Sequence, residues 1–178
     1  MTEQGTPTPP VSWEAPAATT GPAPGLEFAP HGARLVAYIL DGIIVGLVAG
    51  LLFIVAILIV GAGLTIDPET NRVDASSVSS LQWLAFAVLC ILGTLVALLY
   101  FPFFWARGGQ TLGMRPFDLR VVRDRDGGPI GWGTALLRLV GLYIAAAVFY
   151  LGFIWIFIDK RRRGWQDLIA GTVVIKQP

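Results

Sequence analysis

The feature that most constrains this chain is an apolar run from Leu35 to Val60 that contains one charged residue, Asp41. A helix needs about 20 predominantly apolar residues to cross a hydrocarbon core about 30 Å thick. The run is longer than that, so it predicts a membrane helix. The chain is therefore expected to be an integral membrane protein that has the lipid bilayer as its first partner.

Asp41 is an unusual residue for the interior of such a helix. An aspartate near the bilayer centre costs about 2.5–3.5 kcal/mol on insertion scales, so a compensating partner is expected. Arg34 lies two helical turns earlier on nearly the same face, but its side chain should lean toward the headgroups and away from Asp41. The partner is therefore expected from another segment. An intramembrane carboxylate is a functional-site hypothesis by default, with a purely structural role as the alternative.

Three glycines follow Asp41 at four-residue spacing: Gly42, Gly46 and Gly50. Small residues at this spacing allow the backbone of a neighbouring membrane helix to approach closely. A packing role is favoured over a ligand role. The glycines therefore offer a surface for a homo-oligomer or for other membrane proteins.

A second apolar run extends from Leu81 to Trp105 and carries no charge. It predicts a second membrane helix, which Pro102 should kink or end near an aromatic-rich boundary. The connecting segment, residues 61–80, is predicted to be a polar loop. Residues 1–30 are rich in proline and are predicted to be a disordered tail, because they cannot bury enough apolar surface to offset their ordering entropy.

Residues 106–132 form an arginine-rich segment. Arginine and lysine are enriched on the cytoplasmic side of membrane helices, so this segment and the N-terminal tail are predicted to be cytoplasmic. Residues 119–122 are typical of a short strand. The arginines are Arg107, Arg115, Arg120, Arg123 and Arg125.

The third apolar region, residues 133–158, contains Arg138. Either it crosses the membrane once, or it returns to the same side as a re-entrant hairpin broken near Gly141 or Gly152. Same-side return is favoured because it keeps the cations of the following basic segment, residues 159–178, in the cytoplasm. Four of these cations are adjacent and could anchor the chain at anionic lipid, although ordinary topology anchoring is the favoured reading. They are Lys160, Arg161, Arg162 and Arg163.

Same-side return has a second consequence for the fold. It brings residues 172–175, a β-branched run, to the side on which residues 119–122 lie, so that the two could pair. The sequence thus predicts an all-α polytopic membrane protein with two transmembrane helices, residues 35–60 and 81–105. A third membrane-embedded apolar region, either a re-entrant hairpin or a single span, and a small cytoplasmic β element complete the membrane domain, residues 31–178.

The order of these motifs resembles the RDD family of small bacterial membrane proteins, named for one arginine and two aspartates. Arg34 and Asp41 match the first arginine and aspartate. Arg138 matches an arginine on the third helix, and Asp167 matches the second aspartate. The family's glycine-glutamine-threonine-x-glycine element is similar to Gly109, Gln110, Thr111, Leu112 and Gly113.

The resemblance implies a multi-pass protein of the bacterial inner membrane with a largely unsettled function. Cation/proton exchange has been proposed for some members, and others look like accessory components of larger membrane assemblies. This chain departs from the pattern at Met114, where the family usually has a lysine, and at Pro116 and Asp118. These departures weaken any proposal that the glycine element binds an anion.

The first functional hypothesis is ion-coupled transport. Asp41 would exchange a proton while it is held by Arg138 or by Gln110 and Thr111, and Asp167 would be a second carboxylate. Exchange needs a carboxylate that can lose and regain its proton. A chain with two or three crossings can hardly enclose a pathway alone, so this hypothesis requires an oligomer.

The second hypothesis is a non-enzymatic scaffold or accessory factor. In this case Asp41 holds the third apolar region in place, and Asp167 caps the basic turn, residues 160–163. A third is binding of anionic lipid or phosphate by the basic run or the glycine element. No acid, base and nucleophile set stands out. No enzyme activity is therefore expected, and neither is a cofactor or a nucleic-acid partner. Because the chain has one cysteine and one histidine, Cys90 and His31, no transition-metal site is expected.

Overall fold

The structure is a computed structural model that describes residues 21–23, 25–148 and 155–177. Two short 3-10 helices, Arg115–Phe117 and Trp155–Phe157, accompany the main elements. In chain order, the helices and strands of the described residues are β1 (Glu27–Phe28), α1 (His31–Gly61), β2 (Thr65–Ile66), β3 (Val73–Asp74), α2 (Ser80–Gly108), β4 (Leu119–Arg123), α3 (Trp132–Ala147), α4 (Trp165–Ala170) and β5 (Thr172–Lys176).

The helices α1 and α2 are the two predicted apolar runs, extended by a few residues at each end. Only 11% of the most apolar window of α1 and 6% of that of α2 is buried. Leu47 and Leu58, for example, are 69% and 64% exposed. The core helix of a soluble protein would bury these side chains, whereas a bilayer solvates them without cost. Both helices are therefore suited to cross a membrane.

The ends of α2 are set by local signals. The Ser79 hydroxyl accepts a hydrogen bond from the Gln82 amide, and the Gln82 side chain accepts one from the Ser79 amide at 2.9 Å. This capping box fixes the start of the helix. Pro102 lies inside α2, which continues to Gly108. The expectation that Pro102 could end the helix is therefore wrong.

The two long helices are in close contact at Gly93, whereas the predicted glycines make no such contact. A Cβ at Gly93 would lie 3.1 Å from the Phe53 ring and 3.4 Å from the Ala49 carbonyl oxygen. A Cβ at the three predicted packing positions would meet nothing within 4 Å: Gly42, Gly46 and Gly50. These three do not mediate helix packing within the described chain, and their contact with another protein stays a prediction.

The predicted strand pairing is confirmed. β4 and β5 are antiparallel, with Val121 opposite Val174, and β1 adds to the other edge of β5. The order β1-β5-β4 joins the start, middle and end of the described chain in one sheet. Because residues 27–28 form β1, the prediction that disorder extends to residue 30 is wrong for those residues. Residues 1–20 lie outside the described part.

The segment between α1 and α2 is not only a loop. Thr65–Ile66 and Val73–Asp74 pair as a two-stranded antiparallel hairpin, with Thr65 opposite Asp74. The sequence analysis missed this hairpin because its strands are two residues long and flanked by turn-forming residues.

The third apolar region begins as a continuous helix, α3, that passes through Gly141. The alternative of a break near Gly141 is therefore wrong. The residue serves a close contact instead, since a Cβ there would lie 2.7 Å from the Cα of Gln166. Gly152, the other predicted break, lies outside the described residues. The Phe157 ring stacks on that of His31, the first residue of α1, with ring centroids 5.0 Å apart.

Candidate functional site: two buried carboxylate clusters

The sheet meets the helices at one end, which we call the sheet end. There the Ala29 amide bonds to the Val174 carbonyl just before α1, and the Val121 amide bonds to the Gly109 carbonyl just after α2. The turn at Gly109 has a positive φ of 68°, and a Cβ there would lie 2.7 Å from the Val121 carbonyl oxygen. Glycine is therefore required at this junction.

The first carboxylate cluster is centred on Asp167 of α4, which is fully buried. Arg34 of α1 donates from Nη2 to Oδ2 of Asp167 at 2.5 Å. Arg138 of α3 donates from Nη1 to Oδ1 of the same carboxylate. Both arginines are buried as well, with exposed fractions of 1% and 0%. One carboxylate thus binds two guanidinium groups from two different helices.

Further contacts extend this cluster to the surrounding segments. Oδ2 of Asp167 accepts the Gly164 amide at 2.9 Å, so Asp167 caps the start of its own helix. Arg138 donates to the Thr172 hydroxyl at 2.5 Å, at the first residue of β5. Arg34 donates to the backbone carbonyl of Arg162. The cluster therefore joins α1, α3, α4, β5 and the basic turn.

Arg138 is also held by aromatic side chains. Its guanidinium carbon lies 4.7 Å from the ring centroid of Trp105, a cation–π distance. Its Nη2 atom donates to the Tyr38 hydroxyl at 3.3 Å, and Gln166 donates to the same oxygen at 3.4 Å. Trp105 and Gln166 are fully buried. Side chains from α1, α2 and α4 thus lie around the Arg138 guanidinium.

The electrostatics of this cluster keep Asp167 ionised. Burial by itself raises the pKa of Asp167, but Arg138 and Arg34 act in the opposite direction and hold that pKa below its ordinary value. Such a carboxylate carries no proton at neutral pH. Because two arginines share one aspartate, the cluster has one excess positive charge. Asp167 is thus suited to holding the two arginines in place and poorly suited to proton exchange.

The second cluster is centred on Asp41 of α1, which is also fully buried. Tyr100 donates to Oδ1 of Asp41 at 2.7 Å, and the Thr111 hydroxyl donates to Oδ2 at 2.6 Å. The Gly113 amide donates to Oδ1 at 2.7 Å. All three donors are neutral. Asp41 therefore fastens the glycine element to α1 without the help of a cation.

The glycine element is shaped around this carboxylate. A Cβ at Gly113 would lie 2.4 Å from the Ala37 carbonyl oxygen and 2.7 Å from Oδ1 of Asp41, so only glycine fits. The backbone amide that could have been offered to an external anion is used by Asp41 instead. The element thus binds a carboxylate of its own chain.

Several expected contacts differ from those in the structure. Arg138 pairs with Asp167, so the expectation that Arg138 holds Asp41 is wrong. Of the other two expected partners, Thr111 bonds to Asp41, and the structure records no side-chain bond from Gln110 among the described residues. Arg34 is buried against Asp167 and does not pair with Asp41 among the described residues.

The basic run is largely occupied by contacts within the chain. Arg161 and Arg163 both donate to Oδ2 of Asp124, at 2.8 and 3.0 Å. Arg163 also bonds to Asp159, and this hydrogen bond helps to lower the pKa of that carboxyl. Arg162 donates to the carbonyl oxygens of residues 28 and 29. Among the described residues, Lys160 is the member of the run without a side-chain partner.

The sequence analysis missed several residues of these clusters: Tyr38, Tyr100, Trp105, Gln166 and Thr172. Tyr100 and Trp105 belong to the aromatic-rich boundary of the second apolar run, and their spacing alone does not distinguish aromatic residues at a membrane interface from partners of buried charges. No group of three or more histidine, cysteine, aspartate or glutamate side chains within the described residues could hold a metal ion.

A membrane protein with two long apolar helices and buried arginine–aspartate contacts at one end is the class that this fold and site define. The chain belongs to the RDD family, whose model matches residues 28–171. That range includes Arg34, Asp41, Arg138 and Asp167.

Curated relatives agree with this assignment. The uncharacterized protein YxaI of Bacillus subtilis is 28% identical over 144 residues, which cover 80% of this chain and 93% of that protein. The proline-rich antigen of Mycobacterium leprae is 23% identical over 145 residues, which cover 80% of this chain and 58% of that protein. A proline-rich antigen homolog of Mycobacterium tuberculosis is 30% identical over 67 residues. No solved structure matches the chain.

Proposed function

We propose that this protein is a non-enzymatic membrane scaffold, in which a buried charge cluster fastens a small sheet to a helical hairpin in the bilayer. The observation that carries this proposal is the sharing of the Asp167 carboxylate by Arg34 and Arg138. These three charged side chains are buried, and the carboxylate bonds to both arginines. They hold the sheet end in one arrangement and leave its outer surface free to contact other proteins.

The proposed location is a bacterial inner membrane with the sheet on the cytoplasmic side. The sheet end carries the five arginines of residues 106–132 and the basic turn, residues 160–163. This distribution agrees with the bias of cations toward the cytoplasm. We further propose that the third apolar region returns to the same side. The stacking of His31 on Phe157 and the bond from Arg34 to the Arg162 carbonyl support that course.

A scaffold has to contact other proteins at its sheet end, and cross-linking in native membranes tests this. A photoreactive amino acid would be placed at Arg125 or Lys176, both exposed and without side-chain partners among the described residues. The control position is Leu58, at the other end of α1 and 64% exposed. The proposal expects discrete protein adducts from the first two positions and none from the control. The absence of adducts at the sheet end would contradict it.

Cation/proton exchange is the second candidate, and one observation favours it. Asp41 is buried, and its hydrogen-bond donors among the described residues are a tyrosine, a threonine and a backbone amide, with no arginine. Purified protein in liposomes would be given sodium, lithium or potassium gradients while internal pH is recorded, beside Asp41→Asn. Proton movement that this variant lacks would establish exchange. Equal traces for both proteins and for empty liposomes would exclude exchange of these ions by the isolated protein.

A further inference from the structure

A groove of about 750 Å³ opens between α1, α2 and α3. Its walls include Leu35 and Ile39 of α1, Ala97 of α2 and Leu142 of α3. Leu35 and Ile39 are 54% and 53% exposed, so the groove is open to its surroundings. Its volume lies within the range of about 300–1,000 Å³ that ligand sites occupy. Since α1 and α2 are suited to span a membrane, this groove faces acyl chains and not water.

One end of the groove lies next to the basic segment. His31 and Phe157 line it there, at the sheet end. The Nδ1 atom of His31 is buried without a hydrogen-bond partner among the described residues, and Arg162 interacts electrostatically with His31. Within the part of the chain that the structure describes, Arg162 has backbone carbonyls as its side-chain partners, and Lys160, three residues after Phe157, is exposed and unpaired. Arg162 bonds to the carbonyls of residues 28 and 29, which directly precede α1, and Lys160 follows the groove residue Phe157 by three positions, so both cations belong to segments next to this end of the groove.

We propose that this groove binds an anionic phospholipid, with one acyl chain between α1, α2 and α3 and the phosphate beside His31, Lys160 and Arg162. This site goes beyond the scaffold function, because it does not depend on a protein partner. An apolar groove in the membrane with cations at its headgroup end is complementary to an anionic lipid along its whole length.

Charge also disfavours a second copy of the chain as the occupant. Two copies inserted in the same direction would place Lys160 and Arg162 of both at the same depth. A two-fold contact through the groove would then bring these like charges toward each other. A lipid phosphate removes that repulsion.

The experiment uses the full chain in phosphatidylcholine bicelles with a trace of phosphatidylglycerol that carries a diazirine on its acyl chain. After illumination, mass spectrometry locates the adducts. The proposal expects them to concentrate at groove residues such as Leu142 and Ala97 relative to Leu47, which is 69% exposed and lies outside the groove. Unlabelled phosphatidylglycerol should compete, whereas phosphatidylcholine and inorganic phosphate should not.

A matched pair of variants tests the position of the acyl chain. Gly42→Leu places a side chain in the groove, whereas Gly46→Leu places the same side chain one turn away, outside the lining residues. Neither new Cβ meets an atom within 4 Å, so both variants should fold. Groove adducts should be lost in Gly42→Leu and kept in Gly46→Leu, with unchanged thermal melting for both.

A second pair tests the headgroup contact. Lys160→Gln should weaken competition by phosphatidylglycerol about five-fold, the effect of one cation near an anionic lipid surface. Arg125→Gln removes an equally exposed cation elsewhere and should have no effect.

Three results would overturn the proposal. Adducts distributed evenly between Leu47 and the groove, or equal competition by phosphatidylcholine, would show ordinary annular lipid. Effective competition by inorganic phosphate would show a phosphate site without an acyl-chain site. A third result would be a dimeric protein that both Gly42→Leu and Gly46→Leu convert to a monomer with altered labelling. That result would show that the groove binds a second copy of the chain.

Discussion

Arg34 in the second turn of α1 donates to Asp167 of α4 at 2.5 Å, across 133 positions of the sequence. Both side chains are buried, and Arg138 occupies the other oxygen of the same carboxylate. The first membrane helix is thereby tied directly to the last helix before β5. The sheet end of this protein is a charged contact closed by residues from the beginning, middle and end of the chain.

The two aspartates are expected to respond differently to the same substitution. Asp167→Asn leaves two buried arginines without a carboxylate, which should cost about 3–5 kcal/mol. Asp41→Asn keeps an acceptor for Tyr100 and Gly113, and the Thr111 hydroxyl can accept from the new amide, so its cost should stay within about 1 kcal/mol. Thermal melting in detergent and abundance in membranes measure both. Equal destabilisation by the two variants would contradict the assignment of their partners.

The stability of the protein should depend on pH through Asp167. The pKa of Asp167 is lowered in the folded state, so its contribution is present above the unfolded value of about 3.9 and is lost as pH falls through the folded pKa. Melting temperatures would be compared between the unaltered protein and Asp167→Asn from pH 7 to pH 3. Their difference should be constant down to about pH 4 and shrink below it. A difference that vanishes between pH 7 and 5 would show a carboxyl that protonates near neutrality.

The glycine element should not accept a side chain at Gly113. A Cβ there would lie 2.4 Å from the Ala37 carbonyl oxygen, so Gly113→Ala should separate the element from Asp41 and cost about 1–3 kcal/mol in lost buried hydrogen bonds. The control is Gly133→Ala at the start of α3, where an added Cβ meets nothing within 4 Å. Chemical unfolding in detergent micelles compares the two. A tolerated Gly113→Ala would refute the close approach.

The hydroxyl of Tyr100 should contribute a measurable part of the Asp41 cluster. Tyr100→Phe removes one of three donors to the carboxylate and should cost about 1 kcal/mol. Tyr143→Phe is the matched control, because the Tyr143 side chain is 49% exposed and its hydroxyl has no recorded partner within the described chain. Melting temperatures of the two variants provide the test. A loss as large for Tyr143→Phe would mean that the Asp41 contact contributes nothing specific.

The sequence predicted those parts of the fold that depend on long or periodic patterns. Hydrophobic length predicts α1 and α2, and the β-branched runs predict the pairing of β4 with β5. The strand β1 could not be predicted in this way, because two residues carry no periodic signal. Its formation depends on the free edge of β5, which exists only after the chain has folded.

The partners of the buried charges were harder to predict than the charges themselves. Arg34, Asp41, Arg138 and Asp167 are all candidates on the sequence, yet Arg138, one of the alternative partners expected for Asp41, pairs with Asp167 instead. A buried carboxylate needs hydrogen-bond donors, but these need not be cations, and Asp41 is satisfied by a tyrosine, a threonine and a backbone amide. Spacing along the sequence does not reveal which donors the fold brings within reach.

The glycines show the same limit. The four-residue spacing of Gly42, Gly46 and Gly50 is typical of a packing surface, whereas the helices approach at Gly93, which has no such pattern. A single small residue is sufficient where the facing side chain is as large as Phe53. The close contact is therefore a property of the pair and not of one helix.

Hydrogen exchange of the Asp167→Asn variant tests most directly whether the cluster fastens the sheet to the helices. Backbone amides of β4 and β5 would be followed by mass spectrometry in detergent micelles, beside the unaltered protein and Asp41→Asn. The account predicts that Asp167→Asn exposes these strands to exchange while α1 and α2 stay protected, and that Asp41→Asn leaves the strands protected. Unchanged protection of β4 and β5 in Asp167→Asn would show that the sheet is held by other contacts and would contradict the scaffold account.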